Sequence, residues 1–290
     1  MMALYEAAQS IIVQGTASQR EVSEVLGFSR TAMQRIDSMS VGRRAASDKE
    51  LMPMVIEIFN RHRRRYGKRR IIAELGQRGI HCGHKRIAKL MKTADLRAIQ
   101  PKSFKPRTTE SRHTLGYNDN LLLSHPGPSG INQLWVGDIT YIPISGQGFG
   151  YLSTLMDRYS RRLVGWSFEM DMTERLVTQS LHQSIRSRQP SADLIHHADR
   201  GGQYASRKYR AILSRASIRQ SMSRAGDCYD NAFMESCFGT IKTELQMTEY
   251  QSYHEALKEL SEFIEYYNFE RLHSSIGYLS PSHFEATVRL

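Results

Sequence analysis

The sequence predicts an α/β protein in which a mixed sheet, with helices packed on it, is preceded by all-α helix-turn-helix units. Residues 1–130 contain 23 Lys+Arg against 11 Asp+Glu, a net charge of +12, and apolar residues there recur at helical spacing. Residues 131–290 contain 17 basic and 18 acidic residues, and apolar strand-like segments alternate with amphipathic ones. Positive charge confined to one half of the chain is typical of a nucleic-acid-binding part joined to another domain.

The first predicted element is a helix-turn-helix within residues 1–45. Residues 19–36 place apolar side chains at helical spacing on both sides of Gly27, which permits a tight turn, and Ser29 is a suitable N-cap for the second helix. A plain helical hairpin with solvated charges is the alternative. The second helix would expose side chains suited to phosphates and base edges, namely Arg30, Thr31, Gln34 and Arg35.

Residues 46–105 are predicted to form a second basic helical unit that binds DNA. The segment RHRRRYGKRR (61–70) contains seven Arg or Lys in ten positions and lies beside a predicted turn. The helix that follows is expected to end near Gly79, and residues 84–92 repeat the amphipathic pattern. A solvated helix face is the alternative to phosphate contact. The candidate DNA-binding residues are Arg64, Arg65, Lys68, Arg69, Arg70, Lys85 and Arg86.

The basic helical units are followed by a predicted linker and then by a larger α/β domain. Residues 106–130 are predicted to be mostly extended, because the stretch from 101 to 130 contains four prolines and three glycines. Residues 131–290 begin with three apolar segments that predict an antiparallel meander, and a helix, a strand and a helix come next, so the sheet is expected to be mixed. The predicted strands cover 133–144, 151–157, 162–170 and 193–199, and the helices cover 173–188, 206–217, 230–245 and 254–267.

Three carboxylates occur in unusual contexts in this half. Asp138 lies inside an apolar strand, where an ionised carboxylate is costly unless it is paired or binds a metal. Asp199 ends a strand and precedes two glycines, so it opens onto the sheet edge. Glu235 and Lys242, two helical turns apart, share a side of their helix. Converging carboxylates suit hard divalent cations, but some trio at any given spacing is expected by chance among 29 acids.

Five ordered stretches are far more specific than any single residue. Residues 131–281 resemble the catalytic core of bacterial insertion-sequence transposases of the DDE, or retroviral-integrase-like, superfamily, and more narrowly the second-reading-frame product of two-frame elements. The 35 residues between Asp199 and Glu235 are the interval that names this class, and residues 66–80 resemble the family's helical segment upstream of the core. The matching stretches are NQLWVGDITYI (132–142), YLSTLMDRYSRRLVGW (151–166), HHADRGGQY (196–204), DNAFMESCFGTIKTEL (230–245) and YYNFERLHSSIGYLSP (266–281).

The resemblance implies an RNase H-like fold and metal-dependent cleavage and joining of DNA at the element's terminal inverted repeats. Asp138, Asp199 and Glu235 match the family's catalytic metal ligands, and the cofactor implied is Mg²⁺ or Mn²⁺, as two ions. Water or a DNA 3′-hydroxyl attacks the phosphodiester, so no protein nucleophile is required. The implied partners are double-stranded DNA of the element ends and the target, a homo-oligomer assembled on DNA, and a first-reading-frame protein or frameshift fusion.

Further residues at family motif positions are candidates for DNA contact: Lys242, His197, Gln203, Asn231, Arg271 and His273. A solvated helix lysine is the alternative for Lys242, a core histidine for His197, and packing of the C-terminal helix and turn for Arg271 and His273. The sequence departs from the family's pattern at Gly137, where Thr is usual, and at Asp227, where Asn is usual.

Other function classes are limited by what the sequence lacks. Three cysteines without a CxxC pair argue against a disulfide scaffold or a cysteine zinc site. No secretory signal and no apolar run of about 20 residues is present, so a cytoplasmic, nucleoid-associated protein without a membrane partner is expected. A binding protein that uses only the basic helices and a structure-specific nuclease stay open. The three carboxylates favour an enzyme over a protein that only binds DNA. The two predicted DNA-reading units favour a transposase over a structure-specific nuclease.

Overall fold

Two compact units, residues 1–97 and 98–290, make up the chain. The computed structural model describes residues 18–27, 41–100, 116–123, 127–224, 232–246 and 249–288. Within these ranges no helix combines the length and the apolar character needed to cross a membrane. Arg30, Thr31, Gln34, Arg35, Asp227 and Asn231 lie outside the described residues.

The first unit is all-α where it is described. Helix α1 begins with a capping box, since the Ser18 N–H donates to Glu21 Oε2 (2.7 Å) and the Glu21 N–H donates to Ser18 Oγ (3.3 Å). Gly27, with φ +65°, follows α1, and Gly79, with φ +80°, follows α3 near its predicted end. The domain boundary predicted between residues 45 and 46 falls inside the helix Val41–Arg61, here α2. The helices are α1 (Gln19–Leu26), α2 (Val41–Arg61), α3 (Lys68–Gln77) and α4 (His84–Thr93).

A buried glutamate joins α2 to α3. Glu74 is paired with Arg61, with His62 Nε2 (2.8 Å) and with Arg78 (2.9 Å). Burial alone would raise the pKa of Glu74, but the hydrogen bond and charge of His62, with the two arginines, lower it below its ordinary value. His62 also stacks on Tyr66, with ring centroids 3.7 Å apart. The same unit buries a set of apolar side chains from its helices: Val55, Ile58, Ile71, Leu75, Ile87 and Leu90.

The second unit is built on a five-stranded sheet with the order β3-β2-β1-β4-β5. The antiparallel meander predicted from the sequence is confirmed in β1–β3, while β4 and β5 extend the sheet in parallel, so the sheet is mixed. The strands are β1 (Leu134–Ile144), β2 (Gly148–Asp157), β3 (Leu163–Glu169), β4 (Ile195–Ala198) and β5 (Arg219–Met222). The helices are α5 (Glu174–Arg188), α6 (Gly202–Ala205), α7 (Arg207–Arg215), α8 (Ala232–Glu244), α9 (Tyr253–Phe269) and α10 (Pro281–Val288).

Helices cover both faces of this sheet because side chains on its strands alternate between the two. Leu134 and Val136 of β1 pack in one core with side chains of α8 and α9. Trp135 packs in the opposite core with side chains of α5, α6 and α7. Asp138 follows the alternation of Leu134 and Val136, which directs it toward the α8 face of the sheet.

Part of the predicted linker lies along the edge strand β5. The Met222 N–H donates to the Asp119 carbonyl (3.3 Å), and Asn118 Nδ2 donates to Gln220 Oε1 (2.7 Å). The Leu121 N–H donates to Ser221 Oγ (3.0 Å). Residues 116–123 thus satisfy polar groups of β5, which is an edge strand of the sheet in the described part of the chain.

Gly165 allows β3 and α5 to approach closely. A Cβ at this position would collide with Ser184 Oγ and the Ser180 carbonyl of α5. We expect Gly165→Ala to lower the free energy of unfolding by about 1–3 kcal/mol, because backbone and helix must separate. Gly239→Ala is the matched control, since a Cβ there meets nothing within 4 Å. Urea unfolding measures both, and equal stability of the two variants would contradict the close-approach argument.

Candidate active site

Asp138 and Asp199 lie next to each other where two neighbouring parallel strands pair. Gly137 of β1 pairs with Ala198 of β4; Asp138 is the next residue of β1, and Asp199 directly follows the end of β4. Parallel strands lie about 4.8 Å apart, so the two half-buried carboxylates share one cleft. Asp138 Oδ1 accepts from the Ile139 N–H (2.8 Å). The structure therefore brings together two of the three predicted carboxylates.

The residues after Asp199 hold its carboxylate in place. The Gly201 N–H donates to Asp199 Oδ1 (2.9 Å). A Cβ at Gly201 would lie 2.9 Å from that oxygen, so a side chain there would displace the carboxylate. Gln203 lines the same cleft, and its Nε2 donates to the Met172 carbonyl (3.1 Å).

Two further groups shape the electrostatics of the cleft. Burial, reinforced by the charges of Asp138 and Asp199, raises the pKa of the Tyr204 hydroxyl well above its ordinary value, so it stays protonated. Burial lowers the pKa of Lys242, and the charge of Asp138 opposes that shift. Lys242 thus lies within electrostatic range of Asp138, as expected for a residue on the side of α8 that faces the site. Tyr204 was not among the predicted site residues, although it lies in the family-like stretch HHADRGGQY (196–204).

Glu235 is exposed in the first turn of α8. Among the described residues, no three His, Cys, Asp or Glu side chains converge closely enough to hold a metal ion. Helix α8 nevertheless packs on the sheet through buried Met234, Phe238 and Ile241. The set of three carboxylates therefore stays a prediction, with two of its members adjacent.

The departure from the family at Gly137 has a structural counterpart. A Cβ at Gly137 would lie 2.7 Å from His196 Cε1, so the His196 ring occupies the space in which a threonine side chain would begin. Tyr209 Oη and His196 Nε2 are hydrogen-bonded at 2.6 Å. Burial lowers the pKa of His196 to about 3, so the ring is neutral at physiological pH.

His197 is a core residue, which corrects its prediction as a phosphate contact. It is fully buried, and its Nδ1 and Nε2 lie 2.8 Å from Ser221 Oγ and 3.2 Å from Ser223 Oγ. Both ring nitrogens therefore have partners within the sheet. The two serines that bind the ring, one in β5 and one directly after it, leave His197 no access to a DNA phosphate.

Arg271 is also buried, against its prediction as a DNA contact. Its Nε and Nη2 bind the two carboxylate oxygens of buried Glu244 at 2.9 and 2.7 Å. His273 is half-buried, and its ring meets the edge of Tyr267 with centroids 4.6 Å apart. The packing alternative thus describes Arg271, whose guanidinium is buried against Glu244, while a DNA contact of half-buried His273 stays a prediction.

The basic residues predicted in the first unit divide by exposure. Arg65 is buried and Arg70 is half-buried over the Tyr66 ring (5.5 Å), while Arg86 is paired with Asp48 (2.6 Å). Burial of Arg65 corrects its prediction as a DNA contact, while Arg86 is only half-buried in its ion pair and its DNA contact stays a prediction. Four of the predicted residues are exposed on the unit's surface: Arg64, Lys68, Arg69 and Lys85.

Comparisons with known proteins agree with this architecture. Residues 128–228 and 216–281 match two families described as Integrase core domain, and residues 46–104 match the HTH-like domain. The insertion element IS600 uncharacterized 31 kDa protein of Shigella sonnei is 38% identical over 263 residues, which cover 90% of this chain and 96% of that protein. The transposase InsF for insertion sequence IS3A of Escherichia coli K12 is 38% identical over 234 residues, covering 80% and 81%.

The fold and the paired aspartates define an integrase-type catalytic core joined to a helix-turn-helix unit. The chain belongs to the bacterial insertion-sequence transposases of the DDE, or retroviral-integrase-like, superfamily. Among solved structures, the HTLV-2 integrase catalytic core domain in complex with magnesium is similar over 53% of this chain and 96% of that chain, with a TM-score of 0.41 and 16% identity.

Proposed function

We propose that this protein binds the terminal inverted repeats of its insertion sequence and catalyses metal-dependent DNA cleavage and strand transfer. The observation that carries the proposal is the adjacency of Asp138 and Asp199 at the end of β4, in a chain that belongs to the transposases. Glu235 is the third carboxylate of the proposed DDE set. The protein acts as a homo-oligomer on double-stranded DNA, with a first-reading-frame segment supplied by a partner or a fusion.

The donor set of the cleft fits a hard divalent cation. Carboxylate oxygens are the ligands that Mg²⁺ and Mn²⁺ prefer, and Asp138 and Asp199 open into one cleft. These two residues would hold the cation, with two ions in the complete site, and Glu235 must come closer to them when DNA binds. When bound, the metal supplies positive charge that stabilises the attacking and leaving oxygens of phosphoryl transfer.

The chain's own residues bind and orient the DNA. Lys242, half-buried and within range of Asp138, is suited to hold a phosphate of the element end near the carboxylates. Gln203, held by its hydrogen bond to the Met172 carbonyl, orients the carboxylate ligands of the cleft. The exposed basic residues of the first unit contact backbone phosphates, which positions the element end without base readout. Because water or a DNA 3′-hydroxyl is the attacking group, no side chain acts as nucleophile.

A strand-transfer assay tests this function. Purified protein is incubated with a pre-cleaved duplex from the element's own end and a supercoiled target, in Mg²⁺ or in EDTA. We expect joined product only in Mg²⁺, and none from Glu235→Gln, which removes a proposed ligand while leaving the basic first unit intact. Glu265→Gln, at an exposed glutamate of α9, is the control and should join normally. Cleavage without joining would favour a nuclease, and binding without either reaction a DNA-binding protein.

A further inference from the structure

Two arginines in the turn between β2 and β3 stack on one aromatic ring. The guanidinium carbon of Arg158 lies 3.3 Å from the centroid of Phe233, and that of Arg161 lies 4.8 Å from it. Phe233 is the second residue of α8, two positions before Glu235. The turn has a fixed shape, because Asp157 Oδ1 accepts from the N–H groups of Tyr159 and Ser160, each at 3.0 Å.

No carboxylate in the described part of the chain pairs with either guanidinium. The nearby acids are engaged elsewhere. Asp157 is buried and accepts from backbone N–H groups, and Glu285 accepts from Arg162, Arg188 and Ser160. Arg161 Nε is itself buried and has no hydrogen-bond partner among the described residues. Within the described residues the pair thus has no directly bound counter-charge, and Asp157 acts on Arg161 only through its charge.

The electrostatics of the pair favour an anion. Burial, together with the charge of Arg161, lowers the pKa of Arg158 to about 10, and burial lowers that of Arg161. Both groups stay charged at neutral pH, so two like charges are held half-buried beside each other at a cost in free energy. Stacking on Phe233 offsets part of this cost. A guanidinium presents parallel N–H donors that match the oxygens of a phosphate, which would offset the rest.

We propose that Arg158, Arg161 and Phe233 form a phosphate-binding site that holds the backbone of DNA bound to the catalytic unit. This inference rests on the proposed function, since DNA is the ligand. The Arg158 N–H donates to the Leu134 carbonyl, so the turn is level with the start of β1, and Asp138 lies four residues further along. At about 3.3 Å per residue this is roughly 13 Å, so the phosphate belongs to a nucleotide a few positions from the reacting one.

The test compares Arg158→Gln/Arg161→Gln with a control that removes two exposed arginines of α7, Arg207→Gln/Arg215→Gln. The affinity of each full-length protein for a short fluorescent duplex is measured over a series of NaCl concentrations. Each phosphate contact contributes about 0.9 to the slope of log affinity against log salt. Because one phosphate contact is removed, we expect the site variant to lose about 1 from that slope, and the control to match wild type. Equal slopes for all three proteins would overturn the proposal.

A second measurement separates this site from the proposed function. The unfolding midpoint is measured in sodium phosphate and in sodium chloride of equal ionic strength. We expect phosphate to stabilise wild type and the control more than the site variant, because phosphate also stabilises any folded protein nonspecifically. If wild type binds no DNA, the proposed function fails. In that case, phosphate stabilisation that depends on the two arginines still supports an anion site. Phosphate stabilisation that is the same with and without the arginines overturns the anion site. Phosphate stabilisation with an unchanged DNA slope would assign the site to free phosphate and overturn the DNA contact.

The slope also distinguishes a phosphate site from a purely structural stack. If the arginines only anchor α8, their removal lowers the unfolding midpoint in chloride and leaves the salt dependence of DNA binding unchanged. Because the unliganded pair repels itself, we expect the site variant to unfold at or above the wild-type midpoint in chloride. Arg158→Gln alone replaces the double variant should that variant fail to fold, and it retains Arg161 on the ring.

Discussion

Asp199→Asn is expected to abolish strand transfer while DNA binding is retained. The amide preserves the shape of the side chain and can still accept the Gly201 N–H, but it removes one of two adjacent negative charges in the cleft. Because metal-dependent charge stabilisation is worth several kcal/mol, we expect the joining rate to fall by about 10³-fold or more. The assay is strand transfer at saturating DNA, so that any change in DNA affinity does not enter the rate.

A thermal measurement checks that Asp199 acts through a cation. Two carboxylates that share a cleft repel each other, and a ligand that binds only the folded protein raises the unfolding midpoint. Mg²⁺ should therefore stabilise wild type and should stabilise Asp199→Asn less. Asp171→Asn, at an exposed aspartate after β3, is the matched control and should respond as wild type does. Equal stabilisation of all three proteins by Mg²⁺, or normal joining by Asp199→Asn, would contradict the assignment.

Elements with a strong apolar pattern could be predicted from the sequence, and a polar strand could not. The meander appears at nearly its predicted bounds, because 133–144 and 162–170 are rich in β-branched and aromatic residues. Strand β5, with the sequence RQSM, was not predicted, since its hydrogen bonds to β4 rather than its composition make it a strand. The polar residues of β5 and its extension are also what cover His197, so missing the strand left that residue's role undecided.

The candidate site likewise contains residues that local sequence singles out and residues whose positions depend on distant packing. The contexts of Asp138 in an apolar strand and of Asp199 at a strand end singled them out, and the family resemblance implied that they meet, but the parallel pairing of β1 and β4 that brings them together was not predicted. The position of Glu235 depends on how a helix after β5 packs, which residue spacing does not determine. The Arg158 and Arg161 stack depends on Phe233, more than seventy positions later, and local patterns carry no signal for such a contact.

Arg271→Met is expected to lower the free energy of unfolding of the catalytic unit by about 3–5 kcal/mol. The substitution leaves the carboxylate of Glu244 buried without the two hydrogen bonds at 2.9 and 2.7 Å that now satisfy it. The stacking of the Arg271 guanidinium over the Tyr267 ring (5.4 Å) is lost as well. Chemical denaturation monitored by circular dichroism provides the measurement, with DNA affinity determined in parallel.

A double variant separates the ion pair from a role in DNA binding. Glu244→Met/Arg271→Met replaces both charged partners by apolar side chains, so it should recover most of the stability, since well-packed apolar residues often replace a buried ion pair without loss. If Arg271 instead contacted DNA, Arg271→Met would weaken DNA binding at nearly unchanged stability, and the double variant would bind no better. Loss of stability restored by the second substitution would establish that this arginine ties the turn after α9 to the end of α8, the helix that carries Glu235 and Lys242.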